Sequence, residues 1–295
     1  MRMEEHEIEC YRKAGSIARE VVDYAKGFIK PGMKLIDIAE KIDAKIIELG
    51  GDFGFPVNLS LNEIAAHYTP GSDDETLAEG LLKVDLGVAI EGYIADTAFS
   101  LDLSGDGRFK EMIEINEKAL DNVLAGLNKD SKVKDVGRLI QEVVDGKFIV
   151  IKNLSGHSLG HDMIHAGLTI SNYENEKNDP LHNIAFAVEP FLTMGTGEIY
   201  EGKDSEIFML ESDRNVRDSE ARKLLKFVKE NYSTRPFCKR WLEKEGFKRL
   251  DFSLNLLVKE EILHNFPVLI ERGKKPVSQA EHSILINDNV EVLTK

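Results

Sequence analysis

Apolar residues return every three or four positions from about Glu7 to Lys30, and again from about Leu35 to Leu49. That period gathers one apolar stripe on a helix, so two helices are predicted, separated by Pro31-Gly32 and closed by Gly50-Gly51. The same period recurs near Phe109 to Leu127 and Val136 to Val144, and a longer helical pattern runs from roughly Asp218 to Glu260. Between these stretches the pattern changes to runs rich in Val and Ile. The segment Lys83 to Ala98, KVDLGVAIEGYIADTA, has two such runs flanking Glu91-Gly92, which is a hairpin pattern. With that two-residue turn Ile90 faces Tyr93, Asp85 lies opposite Ala98 and Asp96 lies opposite Gly87. Alternation then puts both aspartates on one face as diagonal neighbours. Backbones so placed are about 7–8 Å apart, and carboxylates reaching inward from them can straddle two metal ions roughly 3.5–4 Å apart.

An unpaired carboxylate inside a sheet is costly. Asp85, between Val84 and Leu86, therefore needs a positive partner, an edge position facing water, or a metal. His157, His161 and His165 are spaced by four, which on a helix would align three imidazoles and suggest zinc. Gly156, Gly160 and Gly167 oppose that helix, since each costs about 1 kcal/mol there relative to Ala. Strand or loop is predicted instead, with separate roles for the three histidines. Glu189, in AFAVEP, and Glu281, in SQAEHSILI, sit in strand-like apolar runs. Asp85, Asp96, His157, Glu189 and Glu281 together make an oxygen-rich donor set with one imidazole. Such a set suits Mn(II), Fe(II), Co(II) or Zn(II) better than copper. No Ser, Cys or Thr stands out beside a base as a covalent nucleophile, which directs attention to metal-activated water.

Composition narrows the class without naming it. A chain of 295 residues, 42% hydrophobic and 31% charged, can bury a substantial core and is ordinary for a soluble enzyme. Its net charge of −14 disfavours a protein dedicated to nucleic acid. Cys10 and Cys238 are too few and too far apart for a disulfide framework. The start, MRMEEHEIEC, lacks the apolar centre of a signal peptide, and no run approaches about 18 apolar residues. A soluble, cytoplasmic protein with no membrane partner is expected. A faint repeat is visible: Lys34-Leu35-Ile36-Asp37 resembles Lys132-Val133-Lys134-Asp135, and Val57-Asn58-Leu59-Ser60 resembles Lys152-Asn153-Leu154-Ser155, at nearly equal offsets.

Five motifs carry a resemblance: FPVNLSLNEIAAHYTP (Phe55 to Pro70), VDLGVAIEGYIADTA (Val84 to Ala98), NLSGH (Asn153 to His157), AVEPF (Ala187 to Phe191) and AEHSI (Ala280 to Ile284). With them the chain resembles, over nearly its whole length, the methionine aminopeptidases of the second type, within the pita-bread creatinase and aminopeptidase family. The resemblance implies an α+β fold of two pseudo-symmetric halves, each with antiparallel sheet and outer helices, and the repeat falls accordingly. It also implies a discontinuous catalytic domain, residues 1–190 with 270–295, and an insert over 191–269. The segment RPFCKRWL (Arg235 to Leu242) resembles the helical insert of the second type.

The implied activity is removal of the initiator methionine from nascent polypeptides when the second residue is small, using two divalent ions. Asp85 would hold the first ion, His157 and Glu189 the second, and Asp96 and Glu281 would bridge. Glu189 would also carry the proton from the attacking water to the leaving amine. His67 and His165 resemble the pair that contacts substrate and supports the tetrahedral intermediate. With them, Phe55, Ile164, Phe266 and Leu269 align with positions enclosing an unbranched apolar side chain, a slot that suits a flexible thioether. Relatives often carry Tyr at the position of Phe266 and Phe at that of Ala280, and both differences are expected to loosen the pocket. His6, His161, His182, His264 and His282 receive no role.

Two other readings stand beside this one. A prolidase or aminopeptidase P relative shares fold and ligands, but the Phe55 to Pro70 motif and the insert oppose it. A non-catalytic pita-bread protein that binds RNA or protein would have lost ligands, whereas all five positions are filled here. The family implies a monomer. From Glu211 to Leu250 there are 12 Lys or Arg against 7 Asp or Glu, which reads either as a solvated helix surface or as a patch for transient docking on the ribosome.

Overall fold

A computed structural model describes residues 3–144 and 146–295. Helices α1 (Glu5–Phe28) and α2 (Leu35–Glu48) precede strands β1 (Asp52–Leu61), β2 (Ile64–Ala66), β3 (Gly80–Ile90) and β4 (Tyr93–Leu103). Helices α3 (Lys110–Gly126) and α4 (Val133–Gln141) lead into β5 (Ile149–Val150), β6 (Ser155–Leu159), β7 (Thr169–Ser171), β8 (Ile184–Val188), β9 (Phe191–Thr193) and β10 (Ile199–Leu210). Then come α5 (Ser219–Asn231), β11 (Phe237–Cys238), α6 (Lys239–Lys244) and α7 (Leu250–Lys259), followed by β12 (Leu263–Glu271), β13 (Val277–Gln279), β14 (Glu281–Ile286) and β15 (Val290–Val292).

The first four helices stand within three residues of where the apolar period places them. On α1, Ile8, Tyr11, Ala14, Ala18, Val21 and Ala25 are buried, one stripe at helical spacing, while Glu5 and Glu7 occupy the first turn, where the positive end of the helix dipole favours acids. The pattern from Asp218 to Glu260 is not one helix. Pro236 and Gly246 (φ +70°) interrupt it, and β11 separates α5 from α6.

The largest sheet runs β1-β3-β4-β14-β8-β6-β7, with β15 on β14; a second runs β11-β10-β12-β2 and a third β13-β9-β5, all pairs antiparallel. One core lies between α1, α2 and the strands β1, β3 and β4, and another between α3, α4 and the strands β8, β9 and β14. These are the two halves of an α+β pita-bread fold, and β14 joins them by pairing β4 on one side and β8 on the other. The repeat marks their correspondence. Lys34 and Lys132 each stand just before the first residue of the second helix of their half, and each makes an isolated bridge, to Leu77 and to Pro180.

A third core draws its buried members only from the interval between Phe208 and Leu263. It is tied to the first half by a wholly buried guanidinium. Arg240 on α6 holds Asp43 of α2 at 2.9 Å and donates to the carbonyl of Pro70 at 2.6 Å, and the Trp241 indole donates to the same Asp43 oxygen at 2.8 Å. Breaking a buried pair strands its partner's charge. We therefore expect Arg240→Ala to lower stability in urea unfolding by about 3–5 kcal/mol. Lys244→Ala, which removes the exposed pair with Glu40, should cost about 0–1 kcal/mol. Equal small losses would mean that Arg240 is not the tie.

Candidate active site

Five adjacent strands of the large sheet, in the order β3-β4-β14-β8-β6, each supply one of the predicted ligands. Asp85 lies on β3, Asp96 on β4, Glu281 on β14 and His157 on β6, while Glu189 immediately follows β8. The hairpin register is the expected one: Ile90 pairs with Tyr93, Asp85 with Ala98 and Gly87 with Asp96. Its turn residues Glu91 (φ +49°) and Gly92 (φ +82°) both take the left-handed conformation that a two-residue hairpin favours. Ala98 pairs in turn with Glu281, so that carboxylate stands in the same row as Asp85. The edge alternative does not hold, because both aspartates are on interior strands and Asp96 is 3% exposed.

All five side chains line one cavity of about 280 Å³. His157 Nε2 lies 3.6 Å from Asp96 Oδ2 and 3.7 Å from Glu189 Oε1. Both separations exceed a hydrogen bond, and they approach the spacing of two ligands that share an ion at about 2.0–2.2 Å. Donor atoms of Asp96, His157 and Glu281 all lie within 4.8 Å of one another. Burial, then the neighbouring acids, pushes Asp96, Glu189 and Glu281 well above the usual carboxylate range, and burial raises Asp85 to about 7. Burial pulls His157 down to about 3, so its imidazole is neutral at pH 7. Asp85 Oδ1, Asp96 Oδ1 and Glu281 Oε1 are buried with no hydrogen-bond partner. Unpartnered buried oxygens, clustered acids and a neutral imidazole are the donor set that divalent cations satisfy.

The segment from Ser155 is strand and loop, as the glycines predict, and it separates the histidines. His165 turns back so that its ring stands edge-on to His157, centroids 4.4 Å apart, and it lines the cavity. His161 is more than half exposed, beside Asp162 and against Tyr93. His67 lines the cavity from the end of β2 with φ +63°, a strained conformation for a residue with a Cβ. Its Nδ1–H donates to the Pro267 carbonyl at 3.2 Å, and because that oxygen only accepts, Nε2 carries no proton. Burial holds His67 near a pKa of about 4, in the neutral state.

Phe55, Ile164, Phe266 and Leu269 form the apolar side of the same cavity. Gly87 makes room for the Phe55 ring, since a Cβ there would come within 2.4 Å of it. Ala280 does not belong to this wall. It lines a separate cavity with Phe99 and His282, so the expectation that its small side chain loosens the pocket is corrected: Ala280 and His282, on either side of Glu281, face away from the cavity that Glu281 enters. The sequence reading missed Ile207 and Pro236, which reach the cavity from the far side of the chain, and Asn58, which pairs with Asp85. It also missed Gln279, whose Nε2 donates to Asp85 Oδ2 at 3.2 Å and Glu281 Oε2 at 3.3 Å. The period of two from Glu281 was the available signal for Gln279; Asn58 and Pro236 lie inside motifs that marked their segments, and nothing local marked Ile207.

This fold and donor set define a metal-dependent hydrolase. The profile of metallopeptidase family M24 matches residues 9–218. The chain is 40% identical over 297 residues to a methionine aminopeptidase of Methanocaldococcus jannaschii, covering 98% of this chain and 100% of that one. It is 33% identical over 318 residues to methionine aminopeptidase 2 of Lodderomyces elongisporus, covering 100% of this chain and 67% of the relative. Among solved structures, a thermophilic Arx1 superposes with TM-score 0.86 at 18% identity over 99% of this chain and 91% of that one. The methionine aminopeptidase of Rickettsia prowazekii does so with 0.71 at 18% over 100% and 99%. These two likenesses speak for the fold alone. The chain belongs to metallopeptidase family M24, in its methionine aminopeptidase branch of the second type.

Gln279→Leu removes the amide that orients two of the carboxylates and keeps the side chain's bulk. Loss of such an orienting partner typically costs about 10–100-fold in metal affinity. Calorimetric titration of metal-stripped protein should show that loss, and unchanged affinity would leave Gln279 with a purely structural part.

Proposed function

We propose that the chain removes the N-terminal methionine from newly made polypeptides whose second residue is small. The observation that carries this reading is the convergence of four carboxylates and one imidazole on a cavity with an apolar wall, in a chain alike over its full length to enzymes named for that activity. Asp85, Asp96, His157, Glu189 and Glu281 would hold the two divalent ions between them, and the oxygen-rich set suits Co, Mn, Fe or Zn. When bound, the ions act as Lewis acids and lower the pKa of a water toward ~7.

The chain's own groups do the rest. Glu189 accepts the proton of the attacking water and returns it to the leaving amine. His67, with Nδ1 engaged by Pro267, offers Nε2 as an acceptor to the substrate backbone. His165 donates to the carbonyl oxygen as that oxygen gains charge. Phe55, Ile164, Phe266 and Leu269 enclose the thioether side chain, without the hydroxyl that a Tyr at the position of Phe266 would bring. Residues 1–190 with 270–295 make up the catalytic unit and 191–269 the insert, a division supported by the separate core between Phe208 and Leu263.

The partner is the N-terminus of a nascent chain, and the protein acts as a cytoplasmic monomer. Among the described residues no helix is long and apolar enough to cross a membrane. Docking of the basic 211–250 stretch on the ribosome would have few free cations to draw on. Most of its cations are engaged within the chain, among them Arg214 with Glu261, Lys239 with Asp251 and Arg249 with Asp218.

Hydrolysis should be fast on Met-Ala-Ser and slow on Leu-Ala-Ser, while Gly-Pro and Xaa-Pro-Xaa peptides should not be cleaved. Equal rates on the two tripeptides would overturn the assigned specificity, and Xaa-Pro cleavage would favour the prolidase reading.

The three histidines should separate in metal analysis and steady-state kinetics. His157→Ala loses metal, because it deletes the sole nitrogen donor of the set. His165→Ala keeps metal and loses kcat by roughly 10²–10³, the usual worth of one oxyanion donor. His161→Ala behaves as wild type. Metal loss in His161→Ala as complete as in His157→Ala would require redrawing the ligand set.

A further inference from the structure

Outside the catalytic cavity, three ligand-type side chains from distant parts of the chain meet at the tip of the β3–β4 hairpin. His6 and Cys10 stand one turn apart on α1, the spacing that puts both on one face. Glu91 is the first residue of the hairpin turn, and its carboxylate meets His6 in the first turn of α1. His6 Nε2 lies 2.9 Å from Glu91 Oε2 and 3.8 Å from Cys10 Sγ, and the three donor atoms all fall within 4.8 Å of one another. None of the three lines the catalytic cavity.

We propose that His6, Cys10 and Glu91 form a second metal site, separate from the M24 centre, which takes one zinc-class divalent cation with water as its fourth ligand. A tetrahedral ion with bonds of about 2.3 Å to sulfur and about 2.0–2.1 Å to nitrogen or oxygen sets sulfur and nitrogen about 3.6 Å apart, and nitrogen and oxygen about 3.3 Å apart. The observed 3.8 and 2.9 Å depart from these by a few tenths of an ångström. Rotation of the His6 and Glu91 side chains, 63% and 67% exposed, covers that difference. The donor set selects the ion. Thiolate and imidazole favour zinc over the hard cations that carboxylate and water alone would take.

Exposure is divided as a binding site requires. Cys10 is 4% exposed and fixed in the core beneath α1, so it is a preset anchor, while the open side admits the ion and its water. Burial, then Glu91 and Glu9, pushes the Cys10 thiol up, and these acids also attract a cation to the spot. On binding, the S–H bond breaks, a sulfur–metal bond forms and the proton passes to solvent, with no change of oxidation state. An exposed His–Glu pair accounts for His6 and Glu91, but gives no reason for a sulfur beside them. The bound ion ties the first turns of α1 to the hairpin whose strands carry Asp85 and Asp96, and touches neither substrate nor catalytic ligands.

Cobalt(II) titration of the metal-stripped full-length chain tests this, because the catalytic cavity offers only oxygen and nitrogen donors. Sulfur-to-cobalt charge-transfer absorption in the near ultraviolet therefore reports a thiolate ligand elsewhere. The expected result is a band whose final intensity corresponds to one thiolate-bound cobalt per chain once the catalytic centre is also filled, which is displaced by zinc and is absent in Cys10→Ala. His6→Gln should weaken the band's apparent affinity by about tenfold or more. Zinc should also shield Cys10 from alkylation by iodoacetamide, and both variants should retain peptide hydrolysis. No band in the wild type would overturn the site. So would a band that survives Cys10→Ala, which would place the thiolate at Cys238. Should Cys10→Ala fail to fold, His6→Gln, altered only at an exposed side chain, decides the same question: an undiminished band there rejects the site.

Discussion

Four carboxylates held together out of water are the constraint on which the rest of this structure depends. Neighbouring strands lie about 4.8 Å apart, so Asp96 on β4 and His157 on β6, three strand spacings away, would be separated by roughly 14 Å in a flat sheet. Their side-chain atoms are instead 3.6 Å apart. Convergence on that scale requires a strongly curled sheet with all five candidate ligands on its concave face, and the two helix pairs pack its other side. β14 has the decisive place, since it is the seam between the halves and carries Glu281 in register with Ala98 and so with Asp85. The pseudo-symmetry of the halves thus has a chemical consequence: ligands from both meet across one shared strand.

Such a cluster is unfavourable as protein alone. Each acid is desolvated, and each raises the others' affinity for protons. The surrounding chain offsets little of this, because Gln279 gives only two long hydrogen bonds and three carboxylate oxygens have none. A site that satisfied its acids internally would be more stable and would have no use for divalent cations. The same logic explains the neutral histidines. Burial holds His67 and His157 in the unprotonated state, which keeps lone pairs available and adds no fixed positive charge to compete with a metal.

Local rules carried much of this site. The two-residue turn at Glu91-Gly92 fixes every pairing back to Asp85, because register propagates without slip between adjacent strands. The glycines around His157 exclude the helix that would have merged three histidines into one zinc site. What local rules cannot carry is contact across the fold. Asn58 meets Asp85 only after β1 pairs with β3, and Ile207 and Pro236 reach the cavity only once the second sheet and the helical segment have docked. Ala280 was assigned by position to a wall it does not form, since sharing a motif with Glu281 says nothing about facing the same way on a strand. The helical period from Asp218 to Glu260 likewise hid β11, because two residues of strand leave no periodic trace.

The helical segment shapes the pocket as well as packing behind it. Arg235, nearly buried, donates to the Phe53 carbonyl at 2.7 Å and pairs with Asp52 at 2.8 Å and with Asp162 at 3.0 Å, while the Thr234 hydroxyl donates to the Asp162 carbonyl at 2.6 Å. Asp52 and Phe53 begin the strand that carries Phe55, and Asp162 (φ +54°) stands two residues before Ile164 and three before His165. One guanidinium therefore holds the start of β1 and the Asp162 loop, which bring Phe55, Ile164 and His165 to the same cavity. The Asp162 loop, held through both its carboxylate and its carbonyl at a residue of positive φ, has little freedom to move independently. The dimensions of the pocket are thus coupled to the docking of a segment whose own core lies elsewhere. The shape of the apolar wall is then a property of the contact between the helical segment and the large sheet, and Phe266, which lies on β12 just beyond the helical segment, stands at that junction.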